Sequence, residues 1–70
     1  MSLQITFTAN GVSHTSAAGQ TIGDFLRSCG LVHGLIVVRH NGIVLTAAEP
    51  DHILLHNGDR LEIAYNNAEG

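Results

Sequence analysis

The sequence predicts an α+β fold, a mixed five-stranded sheet with one helix packed across it. Three observations lead there. Four short segments alternate apolar and polar residues or run continuously apolar, as strands do, and a fifth, Val12 to Ser16, returns from a turn. Two Asn-Gly pairs, Asn10-Gly11 and Asn41-Gly42, sit between such segments, the strongest short hairpin signal. A single stretch, Ile22, Phe25, Leu26 and Cys29, repeats apolar residues at helical spacing.

The first strand is expected over Leu3 to Thr8, with Leu3, Ile5 and Phe7 facing inward and Gln4, Thr6 and Thr8 outward. A type I′ turn at Asn10-Gly11 returns the chain antiparallel as a second strand, Val12 to Ser16. Ala17 to Gln20 is a loop. Thr21, with Asp24 three residues on, forms a capping box in which Asp stands for the usual Glu, so the helix begins there. It ends at Gly30, where a helix C-terminus takes a left-handed residue. Cys29 is expected in the core, since free cysteine is among the most buried residue types.

Leu35 to Val38 is apolar at every position, which predicts an interior strand buried on both faces and carried on by Arg39 and His40. After the Asn41-Gly42 turn, Ile43 to Leu45 makes a short edge strand. Residues 47–56 form a longer connection in which Pro50 bars ladder pairing and Ile53, Leu54 and Leu55 cover the open end of the core. Asn57-Gly58 leads into the last strand, where Leu61, Ile63 and Tyr65 face the core in alternation with Arg60, Glu62 and Ala64. Residues 66–70 have neither apolar content nor periodicity and are expected as a flexible tail on a single domain spanning residues 1–70.

Composition removes several functions. Seventy residues bury a small core. Arg27, Arg39 and Arg60 are the only permanent cations on a chain of net charge −3, which argues against a nucleic-acid partner. The absence of lysine excludes Schiff-base and P-loop chemistry. No apolar run approaches the ~18 residues of a membrane span, and the N-terminus lacks the pattern of a secretory signal. One cysteine excludes an internal disulfide or a multi-cysteine metal site within one chain, as suits a cytoplasmic protein.

Other constellations read blandly. His52 and His56 have the i, i+4 spacing of a helical metal pair, but Pro50 and the apolar residues between them predict an irregular stretch with histidines facing solvent. No bound metal or cofactor is expected. Glu49, Asp51 and Asp59 read as a solvated acidic rim. Asp24 argues against an anion held at the helix start.

Three passages carry a resemblance over nearly the whole chain: Ala18-Gly19-Gln20-Thr21-Ile22 with Phe25-Leu26, Val37 to Val44, and Asn57-Gly58-Asp59-Arg60-Leu61-Glu62-Ile63. They resemble the ThiS/MoaD family of sulfur carriers, closest to the ThiS carriers of thiamine biosynthesis. The resemblance implies a ubiquitin-like β-grasp with strand order second, first, fifth, third, fourth. It also implies a carrier and no enzyme. The C-terminal carboxylate, here Gly70, would be adenylated with ATP by a ThiF-like activating enzyme, converted to a thiocarboxylate, and used by a ThiG-like thiazole synthase. Arg39, Arg60, Tyr65, Asn66, Asn67 and Ala68 would then meet the partners. One departure stands out: family members end in Gly-Gly, and this chain has Glu69-Gly70. A side chain next to the reacting carboxylate obstructs a narrow activating site, and its charge opposes the phosphates of ATP. Two alternatives are a binding module of the same fold, like a TGS domain or a carrier relative lacking diglycine, and a MoaD-like small subunit of molybdopterin synthase.

Overall fold

The computed structural model describes residues 3–31, 35–46 and 48–65. Strands β1 (Gln4–Ala9), β2 (Val12–Ala17), β3 (Ile36–His40), β4 (Ile43–Val44) and β5 (Arg60–Tyr65) form one sheet in the order β2-β1-β5-β3-β4. β1 and β5 run parallel and the other neighbours antiparallel. Helix α1 (Ile22–Ser28) links the two hairpins and a 3₁₀ turn, Glu49–His52, links β4 to β5. This is the ubiquitin-like β-grasp.

The local rules account for the elements. Asn10 and Asn41 have φ of 52° and 50°, and Gly11 and Gly42 are also left-handed, as a type I′ hairpin requires. At the head of α1 the Thr21 hydroxyl accepts the Asp24 N–H and the Asp24 carboxylate accepts the Thr21 N–H, each at 3.0 Å. That backbone bond, followed by the Arg27 guanidinium, holds the Asp24 carboxyl below its usual range. At the other end Leu31 donates to the Leu26 carbonyl and left-handed Gly30 to that of Arg27, which closes the helix as a Schellman motif.

The core is Ile5, Phe7, Ala9, Ile22, Leu26, Val38, Leu55 and Leu61, with Phe25 half-buried on its margin. Phe25 meets Phe7 edge-on at 4.9 Å between ring centroids. Residues 53–55 run back along the helix start: Ile22 donates to the Ile53 carbonyl and Leu55 to that of Gln20. Leu55 is buried and Ile53 half-buried, whereas Leu54 turns outward.

Besides Leu54, which was expected to cover the core, and β4, which ends at Val44 and not at Leu45, further expectations need correction. Leu3 lies just before β1 and is 74% exposed, so Ala9 is the third inward residue and the strand sits one position later. β2 continues through Ala17. Cys29 is the helix C-cap and is exposed, because the buried face of the helix ends at Leu26 and the cap lies beyond the last helical residue. Leu35 and Val37 are exposed, since the one helix covers only one face and apolar residues on the other stay open. Tyr65 is 71% exposed, because it ends β5 well past the last residue that pairs with β1.

Candidate functional site

The three Asn-Gly turns do more than reverse the chain. Asn10 and Asn41 lie on either side of β5 and bond its backbone: Asn10 to Ile63, and Asn41 Oδ1 to the Arg60 N–H at 2.8 Å. Asn57 Oδ1 accepts the Thr6 N–H at 2.8 Å. The last strand is thus pinned in mid-sheet by groups from its neighbours' turns. β1 pairs with it only through Thr8↔Arg60 and Ala9↔Leu61, while β3 accompanies it to Ile36↔Tyr65. Beyond Asn10 the strand overhangs, flanked by β3 alone.

The face away from α1 carries a shallow groove over this junction, lined by Thr8, Val37, Arg39, Arg60, Glu62 and Ala64 among others. Arg39 Nη1 lies 3.3 Å from Glu62 Oε1, directly across from it in register. Both side chains are about half exposed, so the pair contributes little, about 0–1 kcal/mol. Among the described residues the Arg60 guanidinium has no partner. Val37, Ala64 and exposed Val44 make the β3–β4 side of this face apolar.

The structure brings Arg39 and Arg60 to one face of adjacent strands. Arg39, expected to meet a partner, is engaged with Glu62. Tyr65 has the opposite strand parity and stands at the end of β5, away from the two arginines. Asn66, Asn67, Ala68, Glu69 and Gly70 lie outside the described residues, as does the expected tail.

Asp59, read as part of a solvated rim, is instead buried, 8% exposed, at the entry to β5. Its Oδ2 accepts the His56 N–H at 2.8 Å and lies 3.1 Å from His40 Nε2, and its Oδ1 accepts from Asn41 Nδ2 at 3.3 Å. Burial opposes ionisation most strongly of the single effects. The bonds from His56, His40 and Asn41 together outweigh it, and the carboxyl is held below its usual range. A satisfied carboxylate of this kind organises a turn. The signal available in the sequence was the His56 to Asp59 spacing around Asn57-Gly58, which lets a carboxylate accept the N–H three residues back.

Glu49 accepts the Thr46 N–H at 2.7 Å, and Asp51 accepts from Arg27 at 2.8 Å, so the remaining acids are exposed and engaged. His52 closes the 3₁₀ turn and His56 lies in the following extended stretch, both exposed. Among the described residues no group of three or more His, Cys, Asp or Glu side chains is placed to hold a metal ion. No helix there is long and apolar enough to cross a membrane.

No protein-family model and no curated protein matches the sequence. Among solved structures, the crystal structure of the thiamine biosynthesis protein ThiS from Geobacter metallireducens is similar, with a TM-score of 0.76 and 23% sequence identity, covering 94% of this chain and 100% of that one. With its strand order, its single helix and its central last strand, this chain has the ubiquitin-like β-grasp fold that ThiS has.

Proposed function

We propose that this protein is a sulfur carrier of thiamine biosynthesis, a cosubstrate and not an enzyme, acting in the cytoplasm. The observation that supports it most is the position of β5: the strand is third of five, is clamped by Asn10 and Asn41, and leads directly into residues 66–70. A rigid central strand delivers the following residues to a partner from a fixed point. In this reading the Gly70 carboxylate attacks the α-phosphate of ATP on a ThiF-like enzyme, with pyrophosphate leaving. Sulfide then attacks the acyl adenylate, a carbon–sulfur bond replaces the carbon–oxygen bond to AMP, and the thiocarboxylate passes to a ThiG-like thiazole synthase. Arg39, Arg60, Tyr65, Asn66, Asn67 and Ala68 meet those partners. ATP belongs to the activating enzyme, and the carrier holds no cofactor.

A binding-module reading is favoured by one feature, Glu69 in place of the penultimate glycine. It assigns the work to the open sheet face with Val37, Val44 and Ala64. Mass spectrometry separates the two readings. With ATP, sulfide and a ThiF-like enzyme active on its own carrier, the chain as it stands should keep its mass, and Glu69→Gly should exchange one oxygen for sulfur. An inert Glu69→Gly chain would count against the carrier reading; conversion with Glu69 in place would show that the diglycine is dispensable.

A further inference from the structure

Of the two edges of the sheet, one is blunted and the other is not. β4 is only two residues long, too short to template a further strand. β2 is six residues long and pairs with β1 without interruption, from Ala9↔Val12 to Gln4↔Ala17. Natural edges are protected by lysine, proline, inward charges, bulges or a covering element. Val-Ser-His-Thr-Ser-Ala has no acid, lysine, arginine or proline, and its unbroken register leaves no bulge. β1 is the strand that β2 pairs with, and the His14 ring of β2 also meets Phe25 of α1 edge-on at 5.1 Å, which leaves the outer edge of β2 open among the described elements.

The hydrogen-bond phase of this edge follows from β1. Thr8 and Asn10 donate to the carbonyls of Asp59 and Leu61, so the even residues of β1 turn to β5 and the odd ones to β2. The partners of the odd residues, Val12, His14 and Ser16, therefore bond inward. The N–H and C=O groups of Ser13, Thr15 and Ala17 point away from the sheet, and all three residues are exposed. One of these carbonyls, that of Ala17, accepts the Ser16 hydroxyl at 3.2 Å and keeps a second lone pair.

We propose that this edge pairs with itself: two copies join antiparallel through β2, with Thr15 facing Thr15 of the second copy, into one continuous sheet. A twofold axis normal to the sheet keeps the helices of both copies on one side, so facing residues share strand parity. Centring the axis on any one residue of β2 satisfies that. Centring on Thr15 forms three reciprocal bonded pairs, Thr15 with Thr15, Ser13 with Ala17 and Ala17 with Ser13, all of small neutral side chains, and sets His14 opposite Ser16 between them. Centring on any other residue of β2 leaves at most two bonded pairs within the strand, and centring on His14 also opposes two imidazoles, so the Thr15 register is the favoured one. No permanent like charges meet in it. Because β1 separates β2 from β5, the pairing leaves Arg39, Arg60 and the end of β5 uncovered, and it does not depend on the carrier reading.

The test uses the whole chain at rising concentration, with mass from light scattering and amide exchange read residue by residue. The expected result is a doubling of mass as the protein reaches the millimolar range, with added protection at the Ser13, Thr15 and Ala17 amides. Thr15→Lys and Thr15→Glu, both at an exposed position whose N–H the monomer does not use, should melt like the parent chain and stay monomeric alone. Mixed, the two should restore a dimer, because the register sets each against the other. A parent chain that stays monomeric, a dimer protected at other amides, a Thr15→Lys chain that dimerises like the parent, or a mixture that fails to associate would each overturn the proposal. So would an edge that leaves its own copy unpaired and takes an unrelated extended peptide.

Discussion

The side-chain amide of Asn10 takes both backbone polar groups of Ile63: Oδ1 accepts its N–H at 2.8 Å and Nδ2 donates to its carbonyl at 3.1 Å. The contact spans 53 positions in the chain and continues the β1–β5 ladder one step after β1 has turned away. A hairpin residue chosen for its left-handed backbone thereby also serves as a ladder partner for the central strand.

Asn10→Gly separates these two roles. Glycine adopts the φ of 52° without strain but has no amide. The variant should lose about 1–3 kcal/mol, the range for two hydrogen bonds whose partners are then left to water. Urea denaturation reads this as a lower midpoint at unchanged slope, and an unchanged midpoint would show that the clamp contributes nothing.

Gly23→Ala should destabilise the protein although it improves helix propensity by about 1 kcal/mol. Gly23 is buried where the 3₁₀ turn crosses α1, and a methyl group there would run into the Asp51 carboxylate and lie 3.2 Å from the Asp51 Cα. The turn must move away from the helix, at a net cost of about 1–3 kcal/mol in the manner of an overpacked core. Thermal melting decides the sign: a raised Tm would mean that the turn yields freely.

Asp59 sets a pH dependence whose direction follows from its depressed pKa. The carboxyl binds its proton less readily in the folded chain than in the unfolded one, so its contribution is present above the unfolded value of about 3.9. That contribution is lost as pH falls through the lower, folded value. Stability measured by urea at falling pH should therefore decline below roughly pH 4, less steeply in Asp59→Asn. Asp24 titrates with the same sign, so the variant should keep part of the slope. At neutral pH Asp59→Asn should cost about 1–3 kcal/mol, because an amide cannot accept from His56 and Asn41 as a carboxylate does.

Arg60→Glu should weaken binding to a ThiF-like activating enzyme by about tenfold or more, near 1.4 kcal/mol, with a melting curve close to that of the parent chain. Arg39→Glu should weaken it too, but its reading is mixed, because it also sets like charges across from each other at Glu62. Titration calorimetry at two salt concentrations checks both. Unchanged affinity for the two variants would remove the open sheet face from the partner surface.

Much of this architecture was legible in the sequence, because it rests on short-range chemistry. The two hairpins follow from Asn10-Gly11 and Asn41-Gly42, and the helix limits follow from the Thr21 and Asp24 capping pair and from Gly30. Alternation in β1 and β5 identified Ile5, Phe7 and Leu61 as core residues. Strand order was legible only through family resemblance, since periodicity carries no information about which strands are neighbours.

The tertiary structure decided what depends on coverage and on distant partners. Apolar character could not tell which of Leu3, Cys29, Val37 and Tyr65 would be covered, because burial depends on where the one helix and the ends of neighbouring strands stop. Asp59 read as a surface acid until the fold brought His40 and Asn41 beside it. That Arg39 stands opposite Glu62 was decided by strand pairing. The close approach of Asp51 to Gly23 likewise came only with the 3₁₀ turn that crosses the helix. Short-range sterics and capping act within a few residues and are written in the local sequence, whereas burial, ion pairing and close approach are set by segments tens of residues apart and exist only once the sheet has closed.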